Sequence, residues 1–342
     1  MKVYFYPPLF NKNKNKNKNI DNPYTKNFIN SLKPYFSVND KPSTMIGLLD
    51  FLHASLSSDI VILNWVDNIA HKKFAYLQYL LFRFVIKILM LRKVRIVWVF
   101  HNIHAHQGEN LITKKINNIM LKRSDIIIVH SLEAQEYLSD KTLSQVEFCH
   151  HPIKNIVTQP FDNIEKINEV DFLIWGTIEP YKGVLEFVQF CFNNQDISSK
   201  WKVKIIGSCK NLMYEEEIKK YLCSNIIYEN RKIEFNELLL QIRNSKFVLF
   251  PYTSTSVSSS GALMDSISMG ANVIGPAKGA FLDLSKEKIC NVFSNFCEID
   301  GFYQNYNKSN LESIVKFIES NSWDQFANKL SLILKSKIKE KY

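Results

Sequence analysis

The chain has 342 residues, 46% of them hydrophobic, with only 10 Gly and 10 Pro, which excludes a fibrous or low-complexity protein. That length suits two domains of about 100–200 residues each. Lys and Arg outnumber Asp and Glu by 43 to 33, a formal charge of +10, so the partners to expect are anionic: nucleotide phosphates, an acidic membrane face or nucleic acid. The six Cys are scattered without a CxxC pair, which argues for reduced thiols in a cytosolic setting and against a disulfide framework or a zinc site.

Val3 to Tyr6 reads as a first strand running into Pro7 and Pro8, not as a secretory signal, so a cytoplasmic chain is expected. Asn11 to Asn19 alternates Asn and Lys. It has no apolar surface to bury and reads as a solvated, mobile loop. Asn22, Pro23 and Tyr24 precede an amphipathic helix through Leu32. Asp59 to Trp65 (DIVILNW) has the bulk of a buried strand. Phe74 to Leu91 is an apolar helix of a length that raises membrane spanning. Arg83 and Lys87, four apart, put charge on one face, and Gln78 interrupts the run, so a buried or interface-lying amphipathic helix is the better reading. Arg95 to Phe100 (RIVWVF) is again a strand. A helix leads to a further strand in Asp125 to His130 (DIIIVH), and Ser131 caps the helix after it. Val146 to Cys149 is short and extended, and His150, His151 and Pro152 close this half.

Ile153 to Glu169 is polar, lacks a period and reads as a linker. The alternation then restarts. Strands are expected in Asp171–Trp175, Val203–Ile206, Ile226–Tyr228, Phe247–Phe250 and Asn272–Ile274, with helices in Val184–Cys191, Tyr214–Leu222 and Asn236–Arg243 and another from Ala262 to Gly270. Two such series imply an α/β protein with two doubly wound parallel sheets, each buried on both faces. The expected division is residues 1–155, residues 156–320, and a Lys-rich amphipathic helix in 321–342 that crosses back to the first domain.

Ligands in such sheets sit beyond the carboxyl ends of the strands, and three stretches there carry chemistry. In Phe247 to Pro276 a strand ends at Pro251, a loop of small polar residues follows, and a helix begins near Gly261. Backbone amides of Ser258, Ser259, Ser260 and Gly261, with the positive end of that helix, suit a diphosphate. Asp265, one turn in, is placed to accept from ribose hydroxyls. The bland alternative is an ordinary helix with Ser as its cap. In Trp175 to Gly183 (WGTIEPYKG) a strand ends at Gly176 and Thr177, and Lys182 stands where a helix starts. A cation is mildly unfavourable there unless it meets an anion. In His101 to Glu109 (HNIHAHQGE) the spacing lacks Cys partners and a regular i, i+4 pair, so no metal site is expected. His101 suits a hydrogen bond to substrate, and His104, His106 or Glu109 suits a base on an acceptor hydroxyl. A satisfied structural histidine is the alternative for each. No GxxxxGK[ST] loop, no GxGxxG after the first strand and no Ser-His-Asp order is present, and no basic stripe with interleaved aromatics points to nucleic acid.

WGTIEPYKG together with PYTSTSVSSSGALMDSISMGANVIGP resembles the donor-binding half of GT-B glycosyltransferases, in particular the large family-4-like group of bacterial surface-polysaccharide enzymes. WVFHNIHAHQ followed by DIIIVHS is similar to their acceptor half, and the early YPP and NPY elements fit the same group. The resemblance covers most of the chain. It implies two Rossmann-like domains facing a central cleft, a diphosphate-contacting Lys at Lys182, and a cleft-lining His at His101. The second carboxylate of the family's Glu-x7-Glu element, which binds the ribose, falls on Asp265. Two positions depart: the first Glu falls at Val257, and the Arg that accompanies the Lys falls at Thr177.

The implied activity is transfer of a hexose-type sugar from a UDP- or GDP-linked donor to an oligosaccharide or lipid-linked acceptor. His101 and Lys182 would be the catalytic pair, with no cofactor and no metal. Docking at the inner, anionic face of the plasma membrane fits the basic charge and the Phe74–Leu91 helix. The departures keep two rivals open: a catalytically silent GT-B-like subunit that binds nucleotide sugar or a partner enzyme, and a nucleotide-sugar epimerase.

Overall fold

The computed structural model describes residues 1–9, 23–39, 47–101, 103, 110–154, 156, 169–254, 257–258, 260–306 and 311–336. The Asn/Lys alternation lies outside them. The chain divides into two compact units: one holds Met1–Pro152 and the residues from Trp323 onward, the other Ile153–Ser322.

The first unit is a parallel sheet of β1 (Lys2–Tyr6), β2 (Ser37–Val38), β3 (Ile60–Asn64), β4 (Arg95–Phe100), β5 (Ile126–Val129) and β6 (Gln145–Phe148), in the spatial order β2-β1-β3-β4-β5-β6. Successive side chains face opposite ways along each strand. Tyr4, Val61, Leu63, Ile96, Trp98 and Ile127 therefore enter one core with Phe51, Phe82 and Leu89. Val3, Phe5, Ile60, Ile62, Val97 and Ile126 enter the other, with Phe28 and Leu32. The helix Trp323–Ser336 belongs here. Its Phe326, Ala327, Leu330 and Leu334 are buried against that second core.

The second unit repeats the plan with β7 (Val170–Trp175), β8 (Val203–Ile206), β9 (Ile226–Glu229), β10 (Ser245–Leu249), β11 (Val273–Pro276) and β12 (Cys290–Phe293), ordered β12-β11-β10-β7-β8-β9. From β7 the chain runs to β8 on one side, and it returns on the other side at β10. The crevice at the carboxyl ends of β7 and β10 is thus the topological switch point. The corresponding point of the first sheet lies between β1 and β3.

The apolar helix spans Ala75–Leu91, and no helix among the described residues is long and apolar enough to cross a membrane. One face, with Tyr79, Phe82, Val85, Ile86 and Leu89, is buried against the sheet. All six Cys are free thiols.

Candidate active site

The switch point of the second unit is assembled by glycine and backbone contacts before any side chain enters. After β7, Gly176 adopts φ 105° and Gly183 φ 69°, both in the left-handed region that favours Gly. A Cβ on Gly183 would stand 1.9 Å from the carbonyl oxygen of Pro251, the residue that follows Phe250 beyond β10. Only Gly lets these two loops approach so closely. The amides of Thr253 and Ser254 both donate to the Tyr181 carbonyl, at 3.2 and 3.3 Å. The Trp175 indole donates to Ser266 Oγ at 2.9 Å, tying the end of β7 to the helix Gly261–Ser268.

This framework brings the WGTIEPYKG stretch and the Ser-rich stretch to one crevice. A shallow crevice open to solvent is lined by Trp175, Gly176, Thr177, Lys182, Pro251 and Tyr252, among others. Lys182 is half-buried, and its Nζ donates to Thr177 Oγ1 at 2.9 Å. It lies about 6 Å from the ring centres of Tyr181 (5.9 Å) and Tyr252 (6.0 Å). Burial pushes its ammonium down to about 8, against the pull of Glu179. A lysine depressed this way is a cation short of an anion.

Tyr252 links that lysine to the helix start, with its hydroxyl 3.5 Å from Ser260 Oγ. Ser260 is the N-cap, its Oγ accepting from the Leu263 amide at 3.2 Å. Gly261 is exposed, and among the described residues a Cβ there would meet nothing within 4 Å. Ser258 is buried, and its Oγ has no hydrogen-bond partner among the described residues. Asp265 is half-buried, and its carboxylate has no hydrogen-bond partner among the described residues. Burial pushes that carboxyl above its ordinary value while Lys154 pulls it down. Ser259 lies outside the described residues.

The two departures have a structural counterpart. Val257 is buried in the core with Phe281 and Ala280, and its carbonyl accepts from the Ala280 amide at 2.8 Å. Its position thus serves packing. Thr177, in place of a second cation, supplies the oxygen that holds Lys182.

In the first unit, His101 stands just beyond β4 and is almost fully buried. Its Nε2 is 2.9 Å from Asn64 Oδ1, and its ring stacks on Trp65 at 4.6 Å and 15°. His130 and His151 lie close by, around Tyr24. His130 Nδ1 donates to the Cys149 carbonyl at 2.8 Å, which leaves its Nε2 to accept from Tyr24 at 3.0 Å. Burial holds all three imidazoles neutral, with His130 pushed down to about 3 and His151 to about 4. His104, His106 and Glu109 lie outside the described residues. Among those described, no three His, Cys, Asp or Glu side chains are grouped to hold a metal ion. No motif in the sequence marks Tyr252, Trp175 or Asn64, although Asn64 is the one polar residue of an otherwise apolar strand.

No protein-family profile matches the chain, and no curated protein matches it. Solved structures do. AviGT4, a glycosyltransferase involved in avilamycin A biosynthesis, matches 96% of this chain and 95% of its own at TM-score 0.60 and 11% identity. The fold is that of the GT-B glycosyltransferases. The UDP-forming α,α-trehalose-phosphate synthase of Burkholderia vietnamiensis is similar over 86% of this chain and 77% of its own, at TM-score 0.60 and 10% identity. TarM is similar over 83% of this chain and 57% of its own, at TM-score 0.58 and 12% identity.

Proposed function

We propose that the protein is a glycosyltransferase that moves a hexose-type sugar from a UDP- or GDP-linked donor to an oligosaccharide or lipid-linked acceptor of a surface polysaccharide, such as an O-antigen or capsule. The observation that carries this reading is that Lys182 at the β7/β10 switch point is linked through Tyr252 to Ser260, the N-cap of the helix that carries Asp265. In the proposed reaction the bond from the sugar's anomeric carbon to the diphosphate breaks. A bond from an acceptor oxygen forms, and the acceptor's proton passes to a base. Lys182 and the Ser258–Gly261 amides stabilise the departing diphosphate, and Asp265 holds the ribose. His101 contacts the sugar or acceptor, with His104, His106 and Glu109 as base candidates.

The buried Val257, and Thr177 where the resembled family carries an Arg, favour a second reading, a silent subunit that binds nucleotide sugar. Incubation with UDP- and GDP-sugars separates the two. Slow release of nucleoside diphosphate that Lys182→Ala abolishes supports the enzyme, and binding without release supports the silent subunit. An isomerised donor sugar recovered without any acceptor would instead mark an epimerase.

The reading places the chain at the inner face of the plasma membrane, and the Ala75–Leu91 helix supports that. Its outer face exposes Leu77 (66%), Phe84 (55%) and Leu91 (76%), with Phe74 (78%) just before it. Lys72, Lys73, Arg83, Lys87, Arg92 and Lys93 are exposed around them, and no acid occurs between Asp67 and Glu109. A second copy would meet this face with like charge. An anionic bilayer complements both its charge and its apolar side chains. Each Phe or Leu buried in lipid contributes roughly 1.5–3 kcal/mol. Leu77→Glu with Phe84→Glu should therefore abolish co-sedimentation with anionic vesicles. Equal binding to zwitterionic vesicles, or to none, would refute the docking.

A further inference from the structure

We infer that Asn64 and Trp65 act together as positioning residues that fix His101 as a hydrogen-bond acceptor, its proton held on Nε2 and its Nδ1 lone pair left for a substrate hydroxyl. This rests on the transferase reading for the identity of the substrate, a sugar, but not for the state of the ring. Asn64 closes β3, a strand that is otherwise Ile-Val-Ile-Leu, and it is fully buried. A carbonyl oxygen cannot donate, so the 2.9 Å contact from Asn64 Oδ1 places the proton on His101 Nε2. Trp65, the next residue, takes φ 45° and ψ 39°, a left-handed conformation uncommon for a bulky side chain. That conformation goes with an indole laid flat against the imidazole at 4.6 Å and 15°. Tyr24 packs edge-on at 5.2 Å and 76°. One edge and one face of the imidazole are thus fixed, and no described residue hydrogen-bonds to Nδ1.

A second observation separates this from a histidine that only fills a core. Asn64 Nδ2 is buried and has no hydrogen-bond partner among the described residues. Among the described residues, the one polar contact of the Asn64 side chain is the one its oxygen makes to His101. The place also fits. Asn64 and Trp65 lie at the carboxyl end of β3, which borders the β1/β3 switch point. A small crevice open to solvent is lined there by Trp65, Asp67, His101 and Asn117, among others. The titratable groups facing the ring are His130 at 5.7 Å, His151, Tyr24 and, across the crevice, Asp67. A neutral imidazole in this tautomer accepts one hydrogen bond, which a sugar hydroxyl supplies.

The test is ring-nitrogen NMR of the full chain, with the His101 signals assigned by their loss in His101→Gln. In the wild type, His101 should carry its proton on Nε2 and stay neutral from pH 8 to pH 5. Asn64→Leu should release the tautomer to a mixture and lower turnover at least tenfold with KM little changed. Asn64→Asp, of the same shape but charged, should raise the ring's protonation midpoint by at least one pH unit. A wild-type proton on Nδ1, or a ring spectrum unmoved by Asn64→Leu, overturns the inference. The wild-type spectrum decides even where a variant fails to fold. Because the spectrum needs no donor or acceptor, absence of transferase activity and failure of the tautomer assignment are separately visible.

Discussion

Lys182 Nζ rests 2.9 Å from Thr177 Oγ1, so a threonine on one side of the turn after β7 aims the cation on the other. The contact is a hydrogen bond to a charged donor, a class that contributes about 1.5–3 kcal/mol when fully formed and less when half-exposed. Thr177→Val should therefore weaken nucleoside diphosphate binding about three- to tenfold without unfolding the protein. Calorimetric titration with UDP and GDP reads this directly. An unchanged affinity would mean that Lys182 finds the phosphate without its guide.

The depressed Lys182 predicts a stability gain on its removal. Its unfolded value is near 10.5 and its folded value about 8, so the folded state holds the proton less tightly. Stability carried by this group rises with pH between about 8 and 10.5, and below pH 8 it is a standing cost. Lys182→Met should raise the melting temperature at pH 7. A fall would show that the ammonium is already satisfied.

The same displacement makes diphosphate binding pH-dependent. At pH 7 most Lys182 is protonated, and through pH 8 to 9 the free site loses its charge. The dissociation constant for UDP or GDP should rise several-fold from pH 7 to pH 9 in the wild type, but not in Lys182→Met. A flat wild-type profile would contradict the assignment of Lys182 to the phosphates.

Asp265 provides a test that separates sugar from phosphate. If its carboxylate takes the ribose hydroxyls, Asp265→Asn should weaken UDP and GDP binding about tenfold, by loss of a charge-assisted contact. The same change should leave inorganic pyrophosphate binding within a factor of two. Equal losses for both ligands would place Asp265 on the phosphates instead.

The neutral histidines of the first unit predict acid sensitivity. Burial lowers His101, His130 and His151 below the unfolded value near 6.5, the last two to about 3 and 4. The unfolded chain takes up protons as pH falls through 6.5 while the folded chain does not. Stability is thus complete above 6.5 and is lost progressively as pH falls toward the folded values of about 4 for His151 and about 3 for His130. Urea midpoints should drop clearly between pH 7 and pH 5, and His130→Gln should reduce the drop.

Much of this architecture was legible in the chain. Buried parallel strands write themselves as apolar runs such as IVILN, RIVWVF and DFLIW, and those are β3, β4 and β7 within a residue or two. Ser260 was legible as a cap because a small hydroxyl before an apolar period has few other uses. The short edge elements were not: β2 has two residues, and β12 (CNVF) has a polar second residue and no turn signal before it. The apolar period of the Ser-loop helix starts at Ala262, whereas the helix spans Gly261–Ser268. For the site, strand ends and charged loops marked Lys182, Ser260 and Asp265. Tyr252, Trp175 and Asn64 went unmarked because their roles come from partners far along the chain: Trp175 meets Ser266, and Asn64 meets His101. Spacing within one stretch carries no trace of such pairs.

The central claim is that the second unit grips a nucleoside diphosphate through Lys182 and the helix start at Ser260. Its most direct test is equilibrium titration of the wild type and Lys182→Met with UDP, GDP and CDP at pH 7. The account predicts saturable binding of UDP or GDP, weakened roughly 10- to 100-fold by the substitution. Binding of none of them, or equal binding by both proteins, would contradict it.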